Sequence, residues 1–273
     1  MRGGGILKNM FFSAWLAGIA YFVFGAIVGS FLNVVALRYN TGRTLGGRSS
    51  CFSCGRSLTA LDLVPLFSFL ALAGKCRSCG SKISWQYPLV EAGTALLFLG
   101  VYLTGFALAY QIYLLPLLSL LAVILIYDLR HKIIPDALVY LFGALSLVSL
   151  FIDFPAQSLA YPTLQALMAG PLLAFPFAFL WLVSRGRWIG LGDAKLALGM
   201  GWLLGLAKGA TAVLFAVWIG AAVSIALLLA QKWLFRGTNR LTMKSEIPFA
   251  PFLILGLLIV LFFNSNFFQP SLF

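Results

Sequence analysis

The chain has 273 residues, of which 62% are apolar and only 10% charged, and that balance excludes an ordinary soluble domain. Its 25 Phe and 7 Trp lie in continuous Leu-, Ala- and Val-rich runs rather than short alternating stretches, so an all-α polytopic membrane protein is expected and a β-barrel is not. The formal charge of +12 arises from 19 Lys and Arg scattered along the chain, so membrane topology accounts for it and no nucleic-acid partner is expected.

In chain order, about eight apolar segments are long enough, or nearly so, to cross a bilayer: 10–37, 88–104, 110–127, 135–152, 164–184, 190–206, 209–231 and 247–264. The first is preceded by Arg2 and Lys8, but its 28 residues are too long for the apolar core of a signal peptide, so it is read as a retained span. The sixth is the least apolar, because it is glycine-rich and holds Asp193 and Lys195. The organisation expected is a first transmembrane helix over 1–37, a four-cysteine loop over 38–87, and a transmembrane bundle over 88–273.

The connecting loops alternate in charge. Seven basic residues separate the first two spans: Arg38, Arg43, Arg48, Arg56, Lys75, Arg77 and Lys82. Arg130 and Lys132 follow the third span, Arg185 and Arg187 the fifth, and Lys232, Arg236, Arg240 and Lys244 the seventh. The other side receives Arg2, Lys8 and Lys208, a ratio of 15 to 3 with Lys195 inside a span. By the positive-inside rule the basic loops are cytoplasmic and both termini lie outside.

All four cysteines fall in the first cytoplasmic loop, as Cys51-x2-Cys54 and Cys76-x2-Cys79 with 21 residues between the pairs. That spacing is close to a zinc ribbon, in which four thiolates converge on one tetrahedral ion. Gly55 and Gly80 follow the pairs and suit tight knuckle turns, while Arg56, Lys75 and Arg77 favour thiolates. A redox dithiol or disulfides are the alternative, which a reducing cytoplasm disfavours. Between the knuckles runs an apolar stretch, 61–73, which as a helix reaches only ~20 Å and so is expected against the membrane surface or the bundle. Asp62 and Pro65 there read as turn and cap residues.

The chain has only 7 acidic residues, so each carries weight. An aspartate in a membrane helix costs roughly 2.5–3.5 kcal/mol on insertion scales and is functional by default. The charge map puts Asp128 at the cytoplasmic end of the third span and Asp193 at the cytoplasmic start of the sixth, at one depth on one side. Two carboxylates sharing a site hold one proton between them; one group can then take a proton from water while the other donates to a leaving amide. Gly190 and Gly192 precede Asp193 and would let an extended substrate come close. A proton or ion relay in a transporter uses such acids equally well.

Further residues narrow the choice. Gly190-Leu191-Gly192-Asp193 with Lys195, Asp128 followed by Ile134-Pro135-Asp136, Gly29-Ser30-Phe31-Leu32-Asn33-Val34, the two cysteine pairs, Ser84-Trp85-Gln86-Tyr87-Pro88-Leu89-Val90-Glu91, and Ile247-Pro248-Phe249-Ala250-Pro251-Phe252 are spread over about 25–252. Together they resemble the bacterial type IV prepilin peptidases, GxGD-type intramembrane aspartyl proteases. The resemblance implies that Asp128 and Asp193 form the catalytic dyad, with Gly190, Gly192, Asp136 and Lys195 positioning substrate. It also implies an inner-membrane enzyme that removes the short basic leader of type IV prepilins or secretion pseudopilins. Its four-cysteine loop implies a second activity, methylation of the new N-terminus with S-adenosylmethionine, beside structural zinc.

Other residues have plainer readings. Asp136 beside Pro135 reads as an N-terminal helix cap. Glu91 is either a ligand for the methyl donor or amine, or a helix-start charge favoured by the dipole. His131, the only histidine, reads as an exposed loop residue. Gly18, Gly25 and Gly29 give the first span a small face for helix packing, and Asn33 suits an interhelical hydrogen bond. Pro248 and Pro251 start or bend the last helix.

Overall fold

The computed structural model describes residues 3–42, 44, 46–154, 156–234, 248–265 and 267. Arg2, Arg43, Arg236, Arg240, Lys244 and Ile247 lie outside the described residues, as do the side chains of Lys8 and Lys232. The chain divides into two compact units, residues 1–123 and 124–273.

In the first unit a long helix α1 (Gly3–Arg38) leads into the four-cysteine segment, which contains a 3-10 turn (Ala60–Leu63) and a short helix α2 (Phe67–Ala71). Helix α3 (Gln86–Leu103) follows, and α4 (Leu108–His131) begins in this unit and ends in the next. The expected small face on α1 is where α1 meets α3. A Cβ on Gly25 would lie 2.7 Å from the Ala95 Cα and the Thr94 oxygen, and one on Gly29 would lie 2.8 Å from the Glu91 Cα. Glycine at these two positions therefore lets the backbones touch, as small residues do between membrane helices. Asn33 completes the contact: buried, it donates to the Tyr87 oxygen at 3.3 Å and accepts from Gln86 Nε2 at 3.2 Å.

The second unit continues through α5 (Asp136–Val148), a hairpin of two two-residue strands β1 (Ile152–Asp153) and β2 (Ser158–Leu159), then α6 (Leu164–Ser184), α7 (Leu191–Leu204), α8 (Leu206–Leu234) and α9 (Ala250–Phe263). The hairpin is a small departure from an all-α chain. Helix α7 is the hub, packed by α5, α6, α8 and α9. Its glycines make that possible: a Cβ on Gly199 would overlap the Phe142 ring of α5, and one on Gly201 would overlap the Ala169 carbonyl of α6. The Trp202 indole N–H donates across to the Leu167 carbonyl at 2.9 Å, and Leu196, Ala197 and Met200 are fully buried.

Each of the eight apolar segments forms a helix, but the helices are unequal. Among the described residues, four are long and apolar enough to cross a membrane by themselves: Ser13–Arg38, Leu108–His131, Leu164–Ser184 and Leu206–Ala230. Helices α5, α7 and α9 have 13, 14 and 14 residues, about 20 Å each, against a hydrocarbon core of about 30 Å. A helix enclosed by others, as α7 is, needs neither full length nor an unbroken apolar surface, because protein rather than lipid meets its ends and its polar residues.

Candidate aspartate site and four-cysteine centre

Asp128 lies in the last turns of α4 and Asp193 in the first turn of α7; they are 4% and 8% exposed. Among the acidic residues described, those buried as whole residues are these two and Glu91, while the Asp62 side chain is also covered. Asp128 and Asp193 interact electrostatically, so the fold brings together two aspartates 65 positions apart in sequence.

The local sequence explains how each is held. Gly190 is the N-cap of α7, in extended conformation (φ −78°, ψ 147°), and Asp193 is the third helical residue. Its carboxylate accepts from the Gly190 N–H, and its own N–H donates to the Gly190 carbonyl at 3.3 Å. This is the reach-back half of a capping box, at the helix end where the dipole favours negative charge. Asp128 is met from the far end of the chain. The amide of Ala250, first residue of α9, donates to its carboxylate, while Asp128 Oδ2 has no hydrogen-bond partner among the described residues. A buried carboxylate oxygen left open beside a second carboxylate is suited to a shared proton or a bound water.

Ala250 was not singled out from the sequence. The signal was present, since Pro248-Phe249-Ala250-Pro251 reads as a helix start whose first amides are unsatisfied, but nothing local says what those amides meet.

The two motif glycines differ. A Cβ on Gly190 would make only ordinary contact, 3.5 Å from Asp193 Oδ2, so its bareness leaves the carboxylate open on that side. A Cβ on Gly192 would fall 2.8 Å from the Ile134 Cβ and 3.1 Å from its Cδ1. Gly192 thus packs tightly against the α4–α5 linker, a contact not expected from the sequence.

Asp136 is corrected from helix cap to ion-pair partner. The N-cap of α5 is Pro135 and Asp136 is the first helical residue, where Lys195 Nζ reaches its Oδ1 at 2.6 Å. The same ammonium sits 4.7 Å from the centroid of the Tyr140 ring. Lys195 is thus held beside the aspartate site by α5. His131 is in the last turn of α4 rather than a loop, exposed, with its ring 4.4 Å from that of Tyr127.

The cysteines converge. The Sγ atoms of Cys51, Cys54, Cys76 and Cys79 all lie within 4.8 Å of one another, and Cys51 Sγ to Cys79 Sγ is 3.8 Å. Four thiolates about 2.3 Å from a tetrahedral zinc would be about 3.8 Å apart, so the donor set fits that ion. The two knuckles repeat one construction. Cys51 N–H donates to Arg56 O at 2.9 Å and Cys76 N–H to Ser81 O at 2.8 Å, while Gly55 and Gly80 donate back to Cys51 and Cys76 at 2.9 Å each. Gly55 (φ +70°) and Gly80 (φ +69°) supply the left-handed residue that each turn requires. The amides of Cys54 and Ser53, with the Ser81 hydroxyl, draw the Cys51 thiol down to about 6, and Ser81 likewise lowers Cys79. At Cys54 the Arg56 amide pulls down, but the neighbouring Cys51 and Cys79 and partial burial prevail and push it up to about 11. An Arg56–Ser78 hydrogen bond cross-ties the knuckles, and an Arg77–Asp62 ion pair of 2.9 Å ties the second knuckle to the 3-10 turn.

Glu91 sits six residues into α3, beyond the first turn, so the helix-start reading does not apply. It accepts from the Leu66 N–H at 2.8 Å through Oε2 and from the Ser30 hydroxyl. Its carboxylate therefore ties the four-cysteine segment to α1 and α3. With those protein partners it fits poorly as a direct ligand of a methyl donor.

Two buried, interacting carboxylates among apolar helices mark a candidate functional site. Comparison with known proteins is specific. Residues 23–105 match the family model described as Bacterial Peptidase A24 N-terminal domain, and residues 115–225 match that of the Type IV leader peptidase family. A Prepilin leader peptidase/N-methyltransferase of Bacillus subtilis (strain 168) is 32% identical over 254 residues, covering 90% of this chain and 94% of that protein. One of the same description from Burkholderia pseudomallei (strain 1026b) is 33% identical over 282 residues, covering 90% and 85%. A Type 4 prepilin-like proteins leader peptide-processing enzyme of Escherichia coli O78:H11 (strain H10407 / ETEC) is 35% identical over 261 residues, covering 85% and 88%. No solved structure matches. The chain belongs to the Type IV leader peptidase family, and it is an enzyme of the prepilin leader peptidase kind.

Proposed function

We propose that this enzyme cuts the short basic leader from type IV prepilins or type II secretion pseudopilins at the cytoplasmic face of the inner membrane, with Asp128 and Asp193 as its catalytic pair. The observation that carries this reading is the burial of both carboxylates in mutual electrostatic contact within the unit that holds most of the leader peptidase match. In the proposed reaction one carboxylate takes a proton from water as its oxygen adds to the scissile carbonyl carbon. The other, protonated, donates to the carbonyl oxygen; collapse then breaks the C–N bond as the first carboxyl gives its proton to the leaving amine and the second takes one back from the gem-diol hydroxyl. The Ala250 and Gly190 amides would hold the two carboxylates in place, and Gly192, Asp136 and Lys195 would shape the substrate's approach. The charge alternation supports cytoplasmic basic loops, eight spans and both termini outside.

Cys51, Cys54, Cys76 and Cys79 would hold zinc as a closed structural centre that joins the two knuckles. Methylation of the new N-terminal amine is proposed as a second activity, with S-adenosylmethionine supplying the methyl group. Glu91 would serve it by holding the four-cysteine segment to α1 and α3.

The test is purified enzyme, wild type and Asp128→Ala or Asp193→Ala, incubated with a prepilin and S-adenosylmethionine and read by product mass. Each variant is expected to keep the helical circular dichroism spectrum and lose cleavage. Near-normal processing by either removes the pair assignment. Substrate flux in proteoliposomes without proteolysis would mark a proton-coupled transporter instead.

A further inference from the structure

We infer that the apolar segment between the two cysteine knuckles is a membrane anchor, seated at the boundary of headgroups and acyl chains in the leaflet that the four-cysteine segment adjoins. Leu61, Phe67 and Leu70 project from the 3-10 turn and α2 with 68%, 68% and 75% of their surface exposed. Such a patch on a small polar module calls for an apolar partner.

Three observations name lipid as that partner. The first is depth. Leu66, the residue before α2, donates its amide to Glu91 of α3 at 2.8 Å, and Glu91 touches α1 at Gly29. Gly29 lies nine residues, about 13 Å, before Arg38, the end of the membrane-crossing apolar stretch of α1, so the Leu66 amide, one Glu side chain away, is held short of the point where that stretch ends. The second is continuity. Phe69 of α2 packs against Trp85 at a ring separation of 5.0 Å, and Trp85 begins an exposed apolar stripe that runs up α3 through Leu89 and residues at seven-position spacing beyond it. One helix face of that kind is what acyl chains cover, and a Trp at its end matches the interfacial belt. The third is charge. Arg48, Lys75 and Lys82 are exposed on the same segment, as befits a surface facing anionic headgroups.

Leu66 adds a structural reason for the Glu91 contact. It has φ +60°, a conformation costly for a bulky residue, and the hydrogen bond to a buried carboxylate holds it there at the start of α2. The anchor would fix the height of the four-cysteine centre above the bilayer, and it rests only on α1 crossing the membrane, not on the peptidase chemistry.

The experiment places a nitroxide, on a genetically encoded amino acid, at position 27, 67, 70 or 78 of the full chain in lipid nanodiscs. Collision with oxygen and with a water-soluble nickel chelate is then measured by electron paramagnetic resonance, each labelled protein first being required to retain the wild-type circular dichroism spectrum. Positions 67 and 70 are expected to collide with oxygen severalfold more, and with nickel severalfold less, than the exposed Ser78 position. Nickel access at 67 and 70 equal to that at 78 overturns the proposal. So does protection from both reagents, which would mean that protein covers the patch. Ile27, exposed on α1, reports the premise separately: if it is nickel-accessible, α1 does not cross the bilayer and the anchor fails with it.

Discussion

Replacing Gly192 with Ala probes how the site is held rather than which atoms react. The added Cβ would sit 2.8 Å from the Ile134 Cβ, while carbons in contact rest at 3.5–4.0 Å, so the first turn of α7 and the α4–α5 linker must part by about 0.7 Å or more. The linker yields poorly because Ile134 precedes Pro135, which restricts its backbone, and Pro135 caps α5. Overpacking of this size costs about 1–3 kcal/mol. The displacement passes directly to Asp193, the next residue, and a misplacement near 1 Å at a reacting group costs up to about 10²-fold in rate. Gly190→Ala is the control for folding: φ is −78° and the nearest atom is 3.5 Å away, so its thermal stability should match wild type. Time courses of prepilin cleavage in proteoliposomes, with thermal unfolding of the same preparations, measure both effects. Wild-type cleavage by Gly192→Ala would refute the reasoning, because it would mean that the Ile134 contact does not set the position of Asp193.

Two further outcomes follow from the site. Cys51→Ser and Cys76→Ser, one from each knuckle, should each lower bound zinc from about one equivalent toward zero, since a closed four-thiolate site loses its ion when a donor goes; metal stoichiometry by mass spectrometry checks this, and metal-free wild type with an intact fold would defeat the zinc assignment. Asp136→Asn should change thermal stability by only about 0–1 kcal/mol, as suits a pair whose acid is largely exposed, and if Lys195 positions substrate it should raise KM more than it lowers kcat.

Much of the site could be read from the chain because its parts are local. A CxxC knuckle is a turn of a few residues, and both knuckles close through the same backbone bonds that their matching Cys-x-x-Cys-Gly sequences suggest. The Gly25 and Gly29 face likewise follows from helical spacing, and α3 was its partner. The residues read less well were those whose role lies in a distant segment. Asp136 looks like a cap until Lys195 arrives from α7, and Glu91 looks like a helix-start charge until the Leu66 amide takes it up.

Composition, charge alternation and motif spacing by themselves determined the membrane class and the helical character of each apolar segment, and they singled out Asp128, Asp193 and the four cysteines as candidates. Those properties depend on side-chain hydrophobicity and on turns only a few residues long. Which helices lie within protein was decided by tertiary packing: the 14-residue α7 is packed by four helices, and its glycines Gly199 and Gly201 admit two of them, α5 and α6, at close range. Packing also chose the amide that meets Asp128. That donor belongs to Ala250, more than a hundred residues away, and a helix start acquires a partner only once the chain has folded back to it.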